Sequence, residues 1–285
     1  MILFQYSGPG INISHSVDTR PRPDRFTMHT HTYTEVFIFL AGRGTFNIEG
    51  SAYPLSAGDL LLMRPSEAHF IQMDPDIPYE RVVINFDASL FSALDPDNEL
   101  IRPFFSRKAG TLNLYRKCDF DPERYDTCLQ GMVSPSGGSR VVILANLILL
   151  LQQIGTIFAD HPMKAGADST VEQNIIEYIN KNLHQELSLQ ILCDKFYISR
   201  AQLCRRFQKA TGTSVGKYIN VKRLLACRQL ILEGEKPSKV YSAYGYHDYS
   251  TFYRAYTRQF GQSPGQKPLP LSETERINLN GKPEP

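Results

Sequence analysis

The sequence predicts two domains of different class, an all-β domain followed by an all-α domain. Three observations support this division. In the first hundred residues, short runs rich in β-branched and aromatic residues alternate with Gly-containing turns, a pattern typical of a β-sandwich or barrel. Near the end of the chain, a nine-residue helical pattern occurs twice. The charge also changes sign between the two parts of the chain.

The charge asymmetry indicates which domain has a polyanionic partner. Residues 1–169 carry 14 Lys and Arg against 19 Asp and Glu, a balance of −5, and residues 170–267 carry 15 against 7, a balance of +8. The last 18 residues add −1, so the 285-residue chain carries +2 in total. We therefore expect double-stranded DNA to bind the second domain alone.

The cysteines and the N-terminus indicate the compartment. The five cysteines are scattered and include no C-x-x-C pair, which predicts free thiols in a reducing environment. The first residues, M-I-L-F-Q-Y, lack the charged segment and the long apolar core of a signal peptide. We therefore expect a cytoplasmic protein without a membrane partner.

The β domain is predicted to cover residues 1–102. Its apolar runs are short, and a turn sequence with Gly or Pro follows most of them. The run at residues 35–40 is continuously apolar after its first residue, which is typical of a strand buried on both faces. The predicted strands are 35–40, 45–49, 53–55, 60–63 and 79–86.

Residues 103–159 are predicted to be helical, with a break at the P-S-G-G of residues 135–138. Residues 139–159 are the most apolar stretch, but polar residues leave it too short to span a membrane. Its apolar residues cover more than one helix face, so we expect contacts with the barrel and with a second copy of the chain. Charged substitutions at Leu147 and Leu151 should then give monomers. Burial wholly within its own domain is the alternative.

Two short segments complete the predicted domain organisation. Residues 160–170 contain Pro, Gly and Ser and are predicted to be a linker. Residues 268–285 contain Pro, Asn and Glu and are predicted to be a disordered tail. The second domain therefore covers residues 171–267.

The helical pattern appears first at residues 199–207, S-R-A-Q-L-C-R-R-F, where Ser199 is a good N-cap. Residues 248–256, D-Y-S-T-F-Y-R-A-Y, repeat it, and Phe252 follows Leu203 by 252 − 203 = 49 positions. Each copy has a cap, two apolar residues four apart, and an arginine on another face. A glycine stop follows each copy. One copy alone could be an ordinary surface helix, but two copies in phase predict two helix-turn-helix units.

Residues 171–266 resemble the DNA-binding domain of the AraC family of transcription regulators. This family has two helix-turn-helix units joined by a long helix, which falls here at residues 215–232. The sequence departs from the family at Cys193 and Tyr241, where a small alanine is usual. The resemblance covers about a third of the chain. It rests on L-S-L-Q-I-L-C-D-K-F-Y-I-S-R-A-Q-L-C-R-R-F from residue 187, G-T-S-V-G-K-Y-I-N-V-K-R-L-L-A-C-R-Q-L-I-L from residue 212, and G-Y-H-D-Y-S-T-F-Y-R-A-Y-T-R-Q-F-G-Q-S-P from residue 245.

The resemblance implies that the second helix of each unit enters a major groove of DNA. We expect Arg205 and Arg254 to read bases, because each projects away from the apolar residues of its helix. The neighbouring residues expected in the same DNA-binding surface are Ala201, Gln202, Tyr249, Ser250 and Thr251. The residues expected to contact phosphates, with a purely solvated position as the alternative for some, are Arg200, Arg206, Lys209, Lys217 and Arg258.

The β domain resembles the cupin barrel. The spacing H-x-H-x3-E-x6-G from His29 resembles the first cupin motif, and residues 58–69 resemble the second. In metal-binding cupins these positions hold a divalent metal. The asparagine expected four residues after the last histidine is replaced by Met73, and sensor domains of the AraC family commonly lack the metal. We therefore expect effector contact without metal, and a metal site is the alternative. The four residues are His29, His31, Glu35 and His69.

Three further residues are expected to contact the effector. Arg25 lies on the arm before the barrel, which closes over the ligand in sugar-sensing relatives. Tyr33 and Phe37 offer an aromatic surface on which a sugar could stack, although a plain core position is the alternative for Phe37. The effector is a small molecule, and a sugar is one candidate.

The predicted fold is multidomain, with an N-terminal all-β cupin-like barrel with trailing helices and a C-terminal all-α double helix-turn-helix. We expect a sequence-specific transcription regulator, an effector-responsive activator of a catabolic operon. Its partners would be DNA, RNA polymerase and a second copy of the chain, and no cofactor is expected. The alternatives are a metal-dependent cupin enzyme with an appended basic domain and a repressor that needs no ligand.

Overall fold

The computed structural model describes residues 1–22, 26–134, 138–160, 170–266 and 277–278. In these residues, a β domain with three helices precedes an all-α domain. The strands are β1 (Ile2–Gly8), β2 (Ile11–Asp18), β3 (His29–Thr30), β4 (Thr34–Ala41), β5 (Gly44–Ile48), β6 (Ser51–Pro54), β7 (Leu60–Met63), β8 (His69–Met73), β9 (Tyr79–Phe86), β10 (Leu114–Tyr115) and β11 (Ile277–Asn278). The helices are α1 (Arg102–Phe105), α2 (Pro122–Val133), α3 (Arg140–Asp160), α4 (Val171–Lys181), α5 (Leu189–Phe196), α6 (Arg200–Thr211), α7 (Val215–Leu232), α8 (Pro237–Ala243) and α9 (Tyr249–Phe260).

The strands form two antiparallel sheets that enclose the barrel interior. The first sheet has the order β1-β2-β9-β4-β7-β10, and the second has the order β11-β3-β8-β5-β6. Strand β4 lies inside the first sheet and alternates between two cores. Val36 and Ile38 face the core shared with α1–α3, whereas Phe37 and Phe39 face the core between the sheets. This double burial explains the continuous apolar run in the sequence.

Helix α3 closes the outer face of the first sheet. It is long and apolar enough to cross a membrane by length and composition alone, but one of its faces packs in the core of the β domain. Leu147 and Leu151 are fully buried there. The expectation that these two leucines lie at an interface between chains is therefore wrong, since charge at either position would disrupt the core of its own domain. The large apolar residues of α3 that are exposed are Val141, Val142 and Leu149.

The first helix-turn-helix unit consists of α5 and α6. Ser199 caps α6 and forms the predicted capping box with Gln202. Gly212 ends α6 with a left-handed φ of 68°. Leu203 and Phe207 are buried in a core that also includes residues of α4 and α7. The cap and the glycine stop predicted from the sequence therefore mark the observed bounds of α6.

The second unit, α8 and α9, repeats this arrangement on the other part of α7. Asp248 caps α9 by accepting a hydrogen bond from the Thr251 amide at 2.7 Å, and Gly261 ends it with a φ of 66°. Phe252 and Tyr256 are buried in a separate core. Tyr241, at the position of the usual alanine, packs its ring against Tyr249 and Phe252.

Most of the predicted linker and tail lies outside the described residues. Within the predicted tail, Ile277–Asn278 pair with β3 in antiparallel register. For these two residues the expectation of disorder is wrong, because a backbone edge of the second sheet accepts them as a strand.

Candidate functional site

The β domain brings the four cupin-type residues together beside the β3–β8 pair. His29 lies opposite His69 in the ladder between these strands, and their rings are 4.3 Å apart. His31 follows β3, and its ring lies 5.0 Å from that of His69. Glu35 reaches the same place from β4. The ligand atoms of His31, Glu35 and His69 all lie within 4.8 Å of one another, and we call these residues together with His29 the histidine cluster.

Each histidine ring is oriented by a backbone carbonyl group two residues away in the sequence. The Nδ1 atoms of His29, His31 and His69 lie 2.9, 2.9 and 2.8 Å from the carbonyl oxygens of residues 27, 33 and 67. A neutral imidazole that donates from Nδ1 presents a lone pair at Nε2. Burial lowers the pKa of His69 to about 4, so this ring is neutral at pH 7.

The donor atoms of the histidine cluster fit a divalent transition metal. His69 Nε2 is buried without a hydrogen-bond partner among the described groups. His31 Nε2 lies 2.8 Å from a Glu35 carboxylate oxygen but is not aligned for a hydrogen bond. Imidazole nitrogens whose second nitrogen is fixed by a carbonyl, combined with one carboxylate, are a typical ligand set. A bound metal would act as a Lewis acid toward a ligand oxygen.

The cavity beside the histidine cluster is small. It has a volume of about 30 Å³ and is bordered by His29, Glu35 and His69. Pockets for small organic ligands typically measure roughly 300–1,000 Å³. The observed cavity therefore has room for an ion or a water molecule, and a sugar would need the barrel to open.

Of the three other residues predicted to contact the effector, the structure describes Tyr33 and Phe37. Tyr33 stacks on the His31 ring at 4.0 Å. Phe37 borders the cavity and is also part of the core between the sheets. Arg25 lies outside the described residues.

The sequence interpretation missed Arg81 of β9, which borders the same cavity. Its Nη1 atom is buried without a hydrogen-bond partner among the described groups. Its guanidinium carbon lies 4.7 Å from the ring centre of Tyr79 and 5.7 Å from that of Phe26. The available signal was a charged residue that alternates with two inward-facing apolar residues of the predicted strand, Tyr79 and Val83.

The DNA-binding domain presents α6 and α9 to solvent. In each helix the apolar pair faces the core of its unit, and the opposite face is exposed. Arg205 and Arg254 are both exposed, as the helical geometry predicted. Arg254 donates to the Ser250 carbonyl at 3.3 Å and to Thr251 Oγ1 at 3.5 Å. The other exposed members of the predicted DNA-binding surface are Arg200, Ala201, Gln202, Lys209, Lys217, Tyr249, Ser250, Thr251 and Arg258.

Arg206 differs from the other predicted phosphate contacts. Its Nε donates to the Glu172 carboxylate of α4 at 2.6 Å, and its side chain is 40% exposed. The hydrogen bond from Arg206 lowers the pKa of Glu172. Arg206 therefore fastens α6 to α4, a partner on a different helix that the spacing within α6 did not indicate.

Comparison with known proteins assigns both domains. The AraC-like ligand binding domain family matches residues 17–113, and a helix-turn-helix domain family matches residues 192–267. The HTH-type transcriptional activator RhaS of Escherichia fergusonii is 22% identical over 266 residues, which cover 90% of this chain and 92% of that protein. RhaS of Citrobacter koseri is 22% identical, with 87% and 90% covered.

Solved structures with similarity to the chain include ToxT from Vibrio cholerae. It is 12% identical, with 90% of this chain and 97% of that chain covered and a TM-score of 0.39. The C-terminal domain of AraT, a response regulator from Geobacillus stearothermophilus, is 22% identical, with 35% and 84% covered and a TM-score of 0.33. These TM-scores are low, so the fold assignment rests on the domain matches and the element order.

A ligand-binding barrel joined in one chain to a helix-turn-helix domain defines a DNA-binding regulator that responds to a small molecule. The relatives named above are transcriptional activators, which implies a regulator rather than an enzyme. The chain belongs to the AraC family of transcription regulators.

Proposed function

We propose that this regulator activates a catabolic operon in response to a small-molecule effector, with sugar-utilisation genes as the first candidates. It would act in the cytoplasm and recruit RNA polymerase. The observation that carries the proposal is the combination, in one chain, of a barrel with a buried polar cluster and two exposed recognition helices. The relatives are named as transcriptional activators, which supports activation over repression.

The two recognition helices would enter successive major grooves on one face of the duplex, which lie roughly 34 Å apart. Arg205 and Arg254 would read bases, because both are exposed on the face opposite the buried residues of their helices. The exposed lysines and arginines around them would bind phosphates and position the domain.

Selection of binding sites from random DNA by the full-length protein tests this function. The expected result is an enriched sequence with two parts that are one helical turn apart. Transcription in vitro from a promoter that carries this sequence, with purified RNA polymerase and a panel of sugars, should rise with one of them. Failure to enrich any sequence would contradict the proposal, and enrichment without activation would assign a repressor.

The histidine cluster is the proposed sensing site. We infer that a divalent metal ion occupies it, which revises the expectation from sequence, because the cavity of about 30 Å³ has room for an ion, whereas a sugar would need the barrel to open. In the open barrel, an oxygen atom of the effector would then bind the metal and the buried N–H of Arg81 together. Entry of the effector would require the side chain of Phe26, which borders the cavity, to move.

Metal analysis of the purified protein tests this inference. We expect about one metal ion per chain, lost on His31→Ala or His69→Ala. His247→Ala is the matched control, because His247 is exposed and lies on the DNA-binding domain. A wild-type protein without metal after growth in metal-supplemented medium would restore the expectation of direct effector contact.

We propose that a second copy of the chain binds the outer face of α3. Val142 and Leu149 are 44% and 51% exposed and lie seven residues apart on this face, and such a repeat favours pairing with another helix. Leu149→Asp should shift the protein from dimer to monomer in sedimentation without loss of the fold. Thr127→Asp, at an exposed polar position of α2 away from this face, is the control. A wild-type monomer at micromolar concentration would contradict this part.

A further inference from the structure

A buried carboxylate joins the barrel to the DNA-binding domain. Glu49 lies in the turn between β5 and β6, has a positive φ of 47°, and its side chain is 1% exposed. Donors from both domains converge on its two oxygens. The Ala68 amide of the barrel donates at 2.7 Å, Lys222 of α7 donates at 2.5 Å and Asn180 of α4 donates at 3.0 Å. The Tyr218 hydroxyl of α7 also donates to Glu49.

These hydrogen bonds stabilise one position of the DNA-binding domain relative to the barrel. Lys222 also donates to the Ser66 carbonyl of the barrel at 2.6 Å, so the ammonium group is shared between two barrel oxygens. The side chains of Lys222 and Glu49 are 8% and 1% exposed. A charge buried to this extent is costly when its partner is missing. Removal of either charge therefore leaves the other unpaired at the interface.

Apolar packing surrounds this charged group. Met28, Ala68 and Phe70 of the barrel belong to the same core as residues of α4, α6 and α7. A Cβ added to Gly50 would lie 2.6 Å from the Ile176 side chain, so the β5–β6 turn fits closely against α4. The interface is therefore shaped around the turn that carries Glu49.

The same backbone segment, residues 66–69, connects Glu49 with the histidine cluster. The Ser66 amide donates to the His31 carbonyl at 2.8 Å, and its own carbonyl accepts from Lys222. Ala68, whose amide binds Glu49, precedes His69. His69 is in turn the ladder partner of Ile48, the residue before Glu49.

We propose that Glu49 is a latch through which the histidine cluster controls the position of the first helix-turn-helix unit. Occupancy of the cluster moves residues 66–69, and this movement changes the contacts of Glu49 and Lys222. Such a coupling requires two states. In one, the first helix-turn-helix unit is in contact with the barrel, and in the other this contact is broken. This proposal rests on the proposed function in taking the histidine cluster as the sensing site.

Hydrogen exchange of the full-length protein, followed by mass spectrometry, tests the latch. Glu49→Gln and Lys222→Met should each raise exchange in residues 215–223 by roughly tenfold, because hydrogen bonds to a buried charge are lost. Exchange in residues 249–260 should stay unchanged. Glu233→Gln is the matched control, because Glu233 is an exposed carboxylate at the end of the same helix. Unchanged exchange in residues 215–223 of both charge variants would overturn the latch.

Two further variants test the latch without removing either charge of the Glu49–Lys222 pair. Tyr218→Phe removes one hydroxyl donor and keeps the ring that packs against Phe207, so it should fold and raise the same exchange by a smaller factor. His69→Gln should raise exchange in residues 215–223 if the cluster acts on the latch, and an effect confined to the barrel would overturn the coupling. The enriched DNA sequence of the wild type reports on the proposed function separately, so failure of the latch leaves that function intact.

Discussion

The two helix-turn-helix units share a sequence pattern but differ in what they pack against. The first unit joins a core that includes barrel residues such as Phe70, whereas the second packs mainly on α7 around a group of tyrosines. The caps, the buried pairs and the glycine stops correspond one to one. The comparison teaches that one local pattern serves two tasks, because the first unit shares its buried core with barrel residues and can receive a signal from the barrel directly.

The largest expected difference concerns the core of each unit. Phe207→Ala and Phe252→Ala should each lower the free energy of unfolding by about 3–5 kcal/mol, since both rings are buried. Phe207→Ala should also raise hydrogen exchange in β8, because Phe207 packs against Tyr218 at the interface with the barrel. Urea unfolding and exchange of the full chain measure both effects. Equal exchange of β8 in the two variants would remove the distinction between the units.

The next largest effect concerns discrimination between bases, and its loss should be equal when the arginine of either unit is removed. Arg205→Ala and Arg254→Ala should each relax one base position, and loss of a bidentate contact with guanine should reduce discrimination by about 1–3 kcal/mol. Arg206→Ala is the control, because Arg206 is paired with Glu172, and it should leave the preferred sequence unchanged. Selection from random DNA measures all three. A preferred sequence that survives both substitutions at reduced affinity would mean that these arginines bind only phosphates.

The smallest effect concerns the helix caps, and it depends on pH. The backbone hydrogen bond from Thr251 lowers the pKa of Asp248. A carboxyl whose pKa is lowered by folding stabilises the fold above its unfolded pKa, about 3.9, and this stabilisation is lost as the pH falls further. The Ser199 cap does not titrate, and Ser199→Ala should cost about 1 kcal/mol at any pH.

Thermal melts between pH 5 and pH 3 test this difference. The wild type should lose more stability over this range than Asp248→Ser, which keeps a cap that does not titrate. Identical pH profiles would show that the charge of Asp248 contributes nothing to the second unit.

Local features were readable from the sequence because they depend on neighbouring residues. The Ser199 cap, the Gly212 stop and the span of β9 all follow from residues within one element. The four residues of the histidine cluster were found through motif spacing, and the structure brings them together.

Features that depend on distant residues were not readable. Glu49 and Lys222 are 173 positions apart, and no local pattern connects them. Arg206 and Glu172 likewise meet through packing of two helices. In α3, apolar residues occupy most faces, so periodicity could not show that Leu147 and Leu151 face the β domain.

Helix α7 is common to both units, and nine of its residues are buried. At 1.5 Å per residue, its 18 residues form a rod about 27 Å long. Because α7 has a fixed length and packs against both units, the distance between the two units cannot increase to match a longer DNA site. One inserted base pair between the two contacted grooves would rotate them by about 34° relative to each other. The binding sites of this regulator should therefore diverge in evolution by base substitution, while the distance between their two parts remains constant.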